Sequence, residues 1–306
     1  MTTNLDCTII ILSYNALKIT DSCLTKVENA IKQSKKILKN NIRVIVVDNA
    51  SSDGSPEMIK KNHPTVELIA LKENIGYAAG NNLAMKLADT PYILLMNSDT
   101  YIKEDSLVES IKILDSKAHC DILVGRCIYA NGVLQLYGGY LPTPLKIILW
   151  SFGFESIPIV KNYARRIYGF APDYYNHDGV MEWCPPNFFL LKKKVYDLTQ
   201  GLDEKLWFHM VDVEWCHRIK KYNLVICFTP KIEVIHLGGA SSKGLENNLI
   251  RDNFRGLMHF CKKHYPQSVN NVSFYLRIGL KIRGFFYQLL GNQTLAEVYN
   301  KISKEI

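Results

Sequence analysis

The feature that most constrains this chain is an alternation in its first hundred residues. Short, continuous apolar runs take turns with segments of helical periodicity. Thr8–Leu12, Arg43–Val47, Val66–Leu71 and Tyr92–Met96 are rich in Val, Ile and Leu and too short to be core helices. Between them, Ile19–Leu38, Ser55–Asn62 and Ala78–Leu87 carry the helical spacing, the first with a polar face. Uninterrupted apolar strands separated by helices predict an α/β fold with a mostly parallel central sheet, flanked by helices on both faces. Ligands of such sheets bind beyond the carboxyl ends of the strands, so the polar residues there are the candidates for function.

The first strand ends in Ser13-Tyr14-Asn15 and the second in Asp48-Asn49-Ala50-Ser51-Ser52-Asp53-Gly54-Ser55. Amides and a carboxylate at this edge can hydrogen-bond a base or a ribose, although Asp48 and Asp53 would equally serve as turn and N-cap residues. The third helix opens at Glu73-Asn74-Ile75-Gly76-Tyr77-Ala78-Ala79-Gly80-Asn81-Asn82. Two glycines here let backbone approach a ligand, and a helix N-terminus favours phosphate. No G-x-G-x-x-G motif occurs, which disfavours a dinucleotide-dependent oxidoreductase. The fourth strand runs into Asn97-Ser98-Asp99-Thr100. An acid delivered at a strand end can hold a hard cation that neutralises a diphosphate, or it can simply cap the helix expected over Leu107–Leu114.

From Tyr129 to Val180 the pattern dissolves into aromatic, Gly and Pro residues, a stretch long enough to suggest function. Its Tyr and Trp side chains suit either stacking on a sugar or packing within a small subdomain. Arg165-Arg166 could meet a lipid diphosphate or stand solvated. Regular structure is expected again over Trp183–Leu191, Val211–Tyr222 and Leu224–Ile235. Val272–Leu290 then mixes Phe, Tyr and Leu with Arg277, Lys281 and Arg283. It reads as a membrane-interface helix, a helix packed on the catalytic domain, or a homodimer contact.

The net charge of +8 suits an anionic partner and is too mild and dispersed to imply nucleic acid. Cys7, Cys23, Cys120, Cys127, Cys184, Cys216, Cys227 and Cys261 show no C-x-x-C pair, so buried, reduced thiols and a reducing compartment are expected. Met1 to Asp6 is polar and no apolar run reaches the roughly 18–20 residues that cross a bilayer, so a cytoplasmic protein is expected.

Taken in order, SYN, VVDNASSDGS, ENIGYAAGNN, LLMNSDT, GLDEKLWFHMVDVEWCHR and VIHLGGASS resemble the inverting family-two glycosyltransferases of GT-A fold. The similarity is greatest to the rhamnosyltransferase-like branch that builds cell-surface polysaccharide. It implies a catalytic domain over 1–243, with a nucleotide-sugar-binding half at 1–128 and an acceptor-binding half at 129–243. A helical extension would follow over 244–306. The resemblance implies that Asp48 recognises the nucleotide base, with Ser13, Asn15 and Ser51 nearby, and that Asn74, Gly76 and Asn81 lie in the donor loop. Asn97-Ser98-Asp99 matches the DxD-type motif, with Asn in place of the first acid, so Asp99 would carry the metal together with His236. Asp212 matches the catalytic base. Here the usual Glu-Asp pair reads Val211-Asp212, and Pro185-Pro186-Asn187 replaces a small pair beside the sugar.

The implied chemistry is transfer of a sugar from a nucleotide-sugar donor, dTDP-rhamnose or a UDP-sugar, to a saccharide or lipid-linked acceptor, with Mg²⁺ or Mn²⁺. A nucleotidyltransferase is the nearest rival enzyme. It would need a basic, Gly-rich loop after the first strand, which Ser13-Tyr14-Asn15-Ala16-Leu17 is not. A catalytically impaired sugar- or lipid-binding scaffold is kept open by Val211 and Asn97. Retention of Asp99, Asp212 and His236 together favours the enzyme.

Overall fold

The computed structural model describes residues 5–154, 167, 169–238 and 246–306, and backbone only over 246–248. Arg165-Arg166 and the Gly239–Ser242 part of the last motif lie outside them. Nine strands form one sheet: β1 Cys7–Ser13, β2 Ile42–Asp48, β3 Glu67–Ala70, β4 Tyr92–Asn97, β5 Thr100–Ile102, β6 Ile122–Ile128, β7 Gly179–Met181, β8 Phe188–Lys192 and β9 Ile226–His236. Their order is β3-β2-β1-β4-β8-β6-β9-β5, with β7 also paired to β9.

The parallel reading holds for the first four strands, where β1 pairs with β2 and β4, and β2 with β3. Helices α1 Leu17–Leu38, α2 Ser55–Asn62 and α3 Tyr77–Leu87 make the crossovers. Beyond β4 the sheet is mixed. β8 runs antiparallel between β4 and β6, β6 runs parallel to β9, and both β5 and β7 run antiparallel to β9. The strands themselves are apolar because both faces are covered: Ile9, Ile10, Ile11, Val46, Val47, Leu94 and Leu190 are all fully buried.

Register sets the site. Ser13 pairs with Asp48 and Leu12 with both Val47 and Asn97, so three polar strand ends stand side by side. Thr100 pairs with His236, which brings the residue after Asp99 opposite the end of β9.

Helix α4 Ser106–Ser116 follows β5. The aromatic stretch contains α5 Pro144–Ser151 and a short 3₁₀ turn at Pro172–Asn176, and Tyr175 is buried against Tyr137 and Phe228. Helix α6 Lys193–Thr199 follows β8, and α7 Val211–Lys221 precedes β9. Three helices end the chain, α8 Glu246–His264, α9 Val269–Leu289 and α10 Gln293–Glu305. Arg283 ties α9 to α5, with its guanidinium 4.7 Å from the Trp150 ring centre and Nη2 donating to Trp150 O at 2.7 Å. None of the described helices is long and apolar enough to cross a membrane.

One expectation about the cysteines needs correction. Cys120 and Cys227 are disulfide-bonded across 107 residues of sequence. Strands β6 and β9 are neighbours, so chain spacing gave no hint of the pairing. Cys7, Cys23, Cys127, Cys184, Cys216 and Cys261 are free and buried, as expected of small apolar residues.

Candidate active site

A cleft of about 930 Å³ opens beyond the carboxyl ends of β1, β2 and β4. Of the residues expected at the site, Ser13, Asn74, Gly76, Asn97, Ser98, Asp99, Asp212 and His236 line it. Asn15, Asp48, Ser51 and Asn81 do not. Asn15, in the left-handed region at φ 47°, accepts the Ser52 N–H through Oδ1, while its own N–H donates to Ser51 Oγ. That clasp joins the first two strand-end loops. Asn81 is buried inside α3 and donates to the carbonyl of Tyr77 one turn earlier. Asp48 is fully buried behind the lining residue Asn49. One carboxylate oxygen of Asp48 accepts the Ser51 N–H and the other has no partner.

The two glycines of the third-helix motif also part ways. Gly76 lines the cleft at φ 87°, and a Cβ there would lie 3.0 Å from the Trp207 ring. Gly80 faces the core, where a Cβ would come within 2.5 Å of Leu12, so its small size serves helix–strand packing.

His236 Nε2 lies 3.2 Å from Asp99 Oδ1, and its Nδ1 lies 2.7 Å from Gln135 Oε1. A carbonyl oxygen only accepts, so Gln135 Oε1 pairs with a protonated Nδ1, while the Asp99 carboxylate, also an acceptor, faces Nε2. The strand pairing is reinforced by the Leu237 N–H donating to Asp99 O at 3.0 Å. A polar chain continues from there. Asn187 sits 3.4 Å from His236 Nδ1, Asn97 Nδ2 donates to Asn187 Oδ1 at 2.9 Å, and Tyr77 OH donates to Asn97 Oδ1 at 3.1 Å. Asn97 therefore replaces the first acid of the DxD-type motif as an uncharged link.

Asp212 enters from the other wall, in the first turn of α7, with Oδ1 accepting the Val213 N–H. The side chain is half-buried and keeps its edge on the cleft. Desolvation pushes its carboxyl up to about 6, overriding the backbone hydrogen bonds that favour the charged form. Such a group changes protonation close to neutral pH, as a general base requires. Glu214, two residues on, lies on the opposite side of the helix and is fully buried.

Several lining residues carried no assigned role in the sequence. Gln135 lay in the irregular stretch and Asn187 beside two prolines, with nothing in the chain linking either to His236. Trp207, Phe208 and His209 fall inside a recognised motif. Trp207 and Phe208 are 55% and 43% exposed, an aromatic wall over the cleft mouth. Arg251, Asp252 and Arg255 come from α8, and Asp252 Oδ2 accepts the His209 N–H at 2.9 Å. A helical i, i+4 pair of arginines reads from sequence only as an exposed face.

Comparison with known proteins agrees with this geometry. Residues 8–193 match Glycosyl transferase family 2. The chain is similar to rhamnosyltransferase WbbL of Escherichia coli, 21% identical over 61% of this chain and 70% of that protein. It is also similar to the low-salt glycan biosynthesis hexosyltransferase Agl10 of Haloferax volcanii, 21% identical over 92% of this chain and 83% of that one. Among solved structures, the mannosyltransferase PcManGT from Pyrobaculum calidifontis, in complex with GDP-Man and Mn²⁺, superposes with a TM-score of 0.55. That match has 15% identity and covers 96% of this chain and 73% of the other, so it speaks for the GT-A fold alone. With its strand-end cleft, its ordered motifs and a family match over more than half its length, the chain belongs to glycosyl transferase family 2.

Proposed function

We propose that the enzyme is a metal-dependent, inverting glycosyltransferase of cell-surface polysaccharide synthesis. It moves a sugar from a nucleotide-sugar donor, dTDP-rhamnose or a UDP-sugar, to a saccharide or lipid-linked acceptor. The observation that carries this reading is that Asp99 from the β4–β5 turn, His236 from the end of β9 and Asp212 from the start of α7 line one cleft at the strand ends.

The donor set fits a hard cation. No group of three or more His, Cys, Asp or Glu gathers into a closed metal cage among the described residues. Asp99 and His236 Nε2 would leave further coordination to phosphate oxygens and water, as Mg²⁺ and Mn²⁺ prefer. Mn²⁺ accompanies GDP-Man in the related mannosyltransferase. When bound, the cation neutralises charge developing on the leaving diphosphate. Gln135 holds the histidine in the tautomer that can ligate. Asp212 takes the proton of the acceptor hydroxyl as its oxygen bonds the anomeric carbon and the diphosphate departs from the opposite face. No covalent intermediate on the protein is needed, so configuration inverts.

The unpartnered oxygen of Asp48 supports a role in receiving a base N–H, and Asn74 and Gly76 a role in the donor loop. We assign 1–128 to donor binding, 129–243 to the acceptor and 244–306 to a helical extension. Phe274, Phe285, Phe286, Leu289 and Leu290 form an exposed apolar face on and just past α9, beside exposed Arg277 and Lys281. That composition supports peripheral attachment at the inner face of a membrane.

The test is release of nucleoside diphosphate from a panel of nucleotide sugars with Mn²⁺ or Mg²⁺. Turnover of one donor by wild type, dependent on metal and lost in Asp99→Ala and Asp212→Asn, is expected. Failure of wild type to bind any nucleotide sugar would sink the reading.

A further inference from the structure

The family match ends at residue 193, yet α8 reaches into the cleft with Leu249, Arg251, Asp252 and Arg255. Among the described lining residues, Arg251 and Arg255 carry the permanent positive charge, while Asp99, Asp212 and Asp252 carry the negative. The arginines sit one helical turn apart on α8, so they present to the same side.

Both are already occupied. Arg251 Nε donates to Glu305 Oε2 at 2.7 Å and Nη2 to Oε1 at 2.5 Å, a two-pronged clamp on one carboxylate. Arg255 Nη2 stands 3.5 Å from Glu305 Oε2. Glu305 is the penultimate residue of the chain, in the last turn of α10. Arg251 holds its carboxyl below the usual range, so it is charged at neutral pH.

A guanidinium fork that fits a carboxylate also fits a phosphate, and two adjacent forks match a phosphate better than a single carboxylate. The pairing of Glu305 with Arg251 and Arg255 is solvent-accessible, so little opposes its exchange. Only the last turn of α10 has to move for the arginines to be released.

We infer that Arg251 and Arg255 form an oxyanion subsite for a phosphate group of the substrate, and that Glu305 occupies this subsite as a stand-in when the cleft is empty. The inference rests on the proposed glycosyl-transfer site and deepens it. It assigns α8 and α10 a part in substrate binding, and makes Glu305 a competitor that the substrate must displace. The phosphate could belong to the donor's diphosphate or to a lipid-linked acceptor, and the test separates them.

Binding of two probes to the full chain would be measured by calorimetry. One is UDP or dTDP with Mn²⁺, and the other is decyl diphosphate, a short soluble mimic of a lipid diphosphate. Glu305→Gln should tighten one probe by about threefold, because the competitor loses its charge. Arg251→Ala should weaken the same probe by about tenfold. A purely structural ion pair would not give this opposition, since both variants would then weaken binding or leave it alone. A change confined to the nucleotide assigns the subsite to the donor, and one confined to decyl diphosphate assigns it to the acceptor. If Arg251→Ala is misfolded, Glu305→Gln alone decides, because removing a salt bridge without a competing ligand cannot tighten anything. Wild-type affinity for both probes in Glu305→Gln and in a folded Arg251→Ala overturns the inference while leaving the transfer site intact. Binding of neither probe by wild type overturns both.

Discussion

Asp212 and Glu214 stand two residues apart in the first turn of one helix, and the two faces of α7 make them opposite things. Among the described residues no cation pairs with Asp212 where it meets the cleft, and burial raises its carboxyl to about 6. Glu214 is fully buried on the far side, where Arg218 clamps both of its oxygens at 2.9–3.0 Å. Lys263 and His264 of α8 reach its Oε1 at 2.8 and 3.0 Å. Burial would raise Glu214 too, but hydrogen bonds from His264 and Arg218 hold it well below the usual range. The same helix start therefore provides a proton acceptor on one side and an anchor for the C-terminal helices on the other. What separates the two is whether the carboxylate has partners.

The sharpest way to break this contrast is a pair of reciprocal substitutions. Asp212→Asn should lower turnover by about 10²–10⁴-fold, the range for loss of a general base, with thermal stability retained. Glu214→Ala should do the reverse, costing about 3 kcal/mol of stability because it leaves the half-buried Arg218 without its counter-charge and the shielded His264 side chain without its partner. Urea titration and steady-state kinetics on both variants check this. If Glu214→Ala keeps full stability, or Asp212→Asn keeps full turnover, the division of labour is wrong.

The two carboxyls also predict opposite pH behaviour. Turnover that needs ionised Asp212 should fall about tenfold per pH unit below about 6. Stability follows the linkage of each group. The folded-state value of Asp212 is raised, so its contribution is fully present below its ordinary 3.8 and is lost as pH rises through about 6. That of Glu214 is lowered, so its contribution is present above its ordinary 4.5 and is lost as pH falls below that. Between about pH 4.5 and 6, activity should therefore decline while the fold holds. An activity loss that tracks unfolding across that window would refute the assignment.

A smaller effect is expected at Gln135, which acts through His236. Gln135→Leu removes the acceptor that fixes the Nδ1 proton and should raise the Mn²⁺ concentration needed for half-maximal activity by about 10–100-fold. Turnover at saturating Mn²⁺ should change much less. A variant with unaltered metal dependence would mean that Gln135 only fills space.

Gln135 also marks where sequence reading stops. The β1–β4 half was legible because its strands are buried on both faces, so their apolar runs and their polar ends stand out. Asp99, Asp212 and His236 were found through ordered motifs, and each lines the cleft. The mixed half was less legible. Strand β8 pairs antiparallel between β4 and β6, and no local pattern announces a partner some 90 residues away. Long-range hydrogen bonds such as those of Gln135 and Asn187 with His236, and the Cys120–Cys227 bond, depend on that pairing and leave no mark on neighbouring residues. Asn81 and Gly80 show a related effect. They share a motif with cleft residues, but helical rotation turns both inward.

That rotation gives the finest version of the opening contrast, since Gly76 and Gly80 repeat it at the start of α3. At Gly76 the backbone has φ 87° and ψ 170°, a conformation essentially reserved for glycine that costs an L-residue about 1–3 kcal/mol, and a Cβ would lie 3.0 Å from the Trp207 ring. Trp207 is more than half exposed, so it can give way. Gly76→Ala should therefore displace the aromatic wall and weaken donor binding a few-fold, on top of about 1–3 kcal/mol of backbone strain. Gly80 has ordinary helical geometry, but its Cβ would come within 2.5 Å of Leu12, which is packed against the central core. Gly80→Ala should cost about 1–3 kcal/mol through overpacking and leave the donor KM unchanged in the folded fraction. Should Gly80→Ala instead raise the donor KM, with stability intact, the inward face of α3 would belong to the binding site after all.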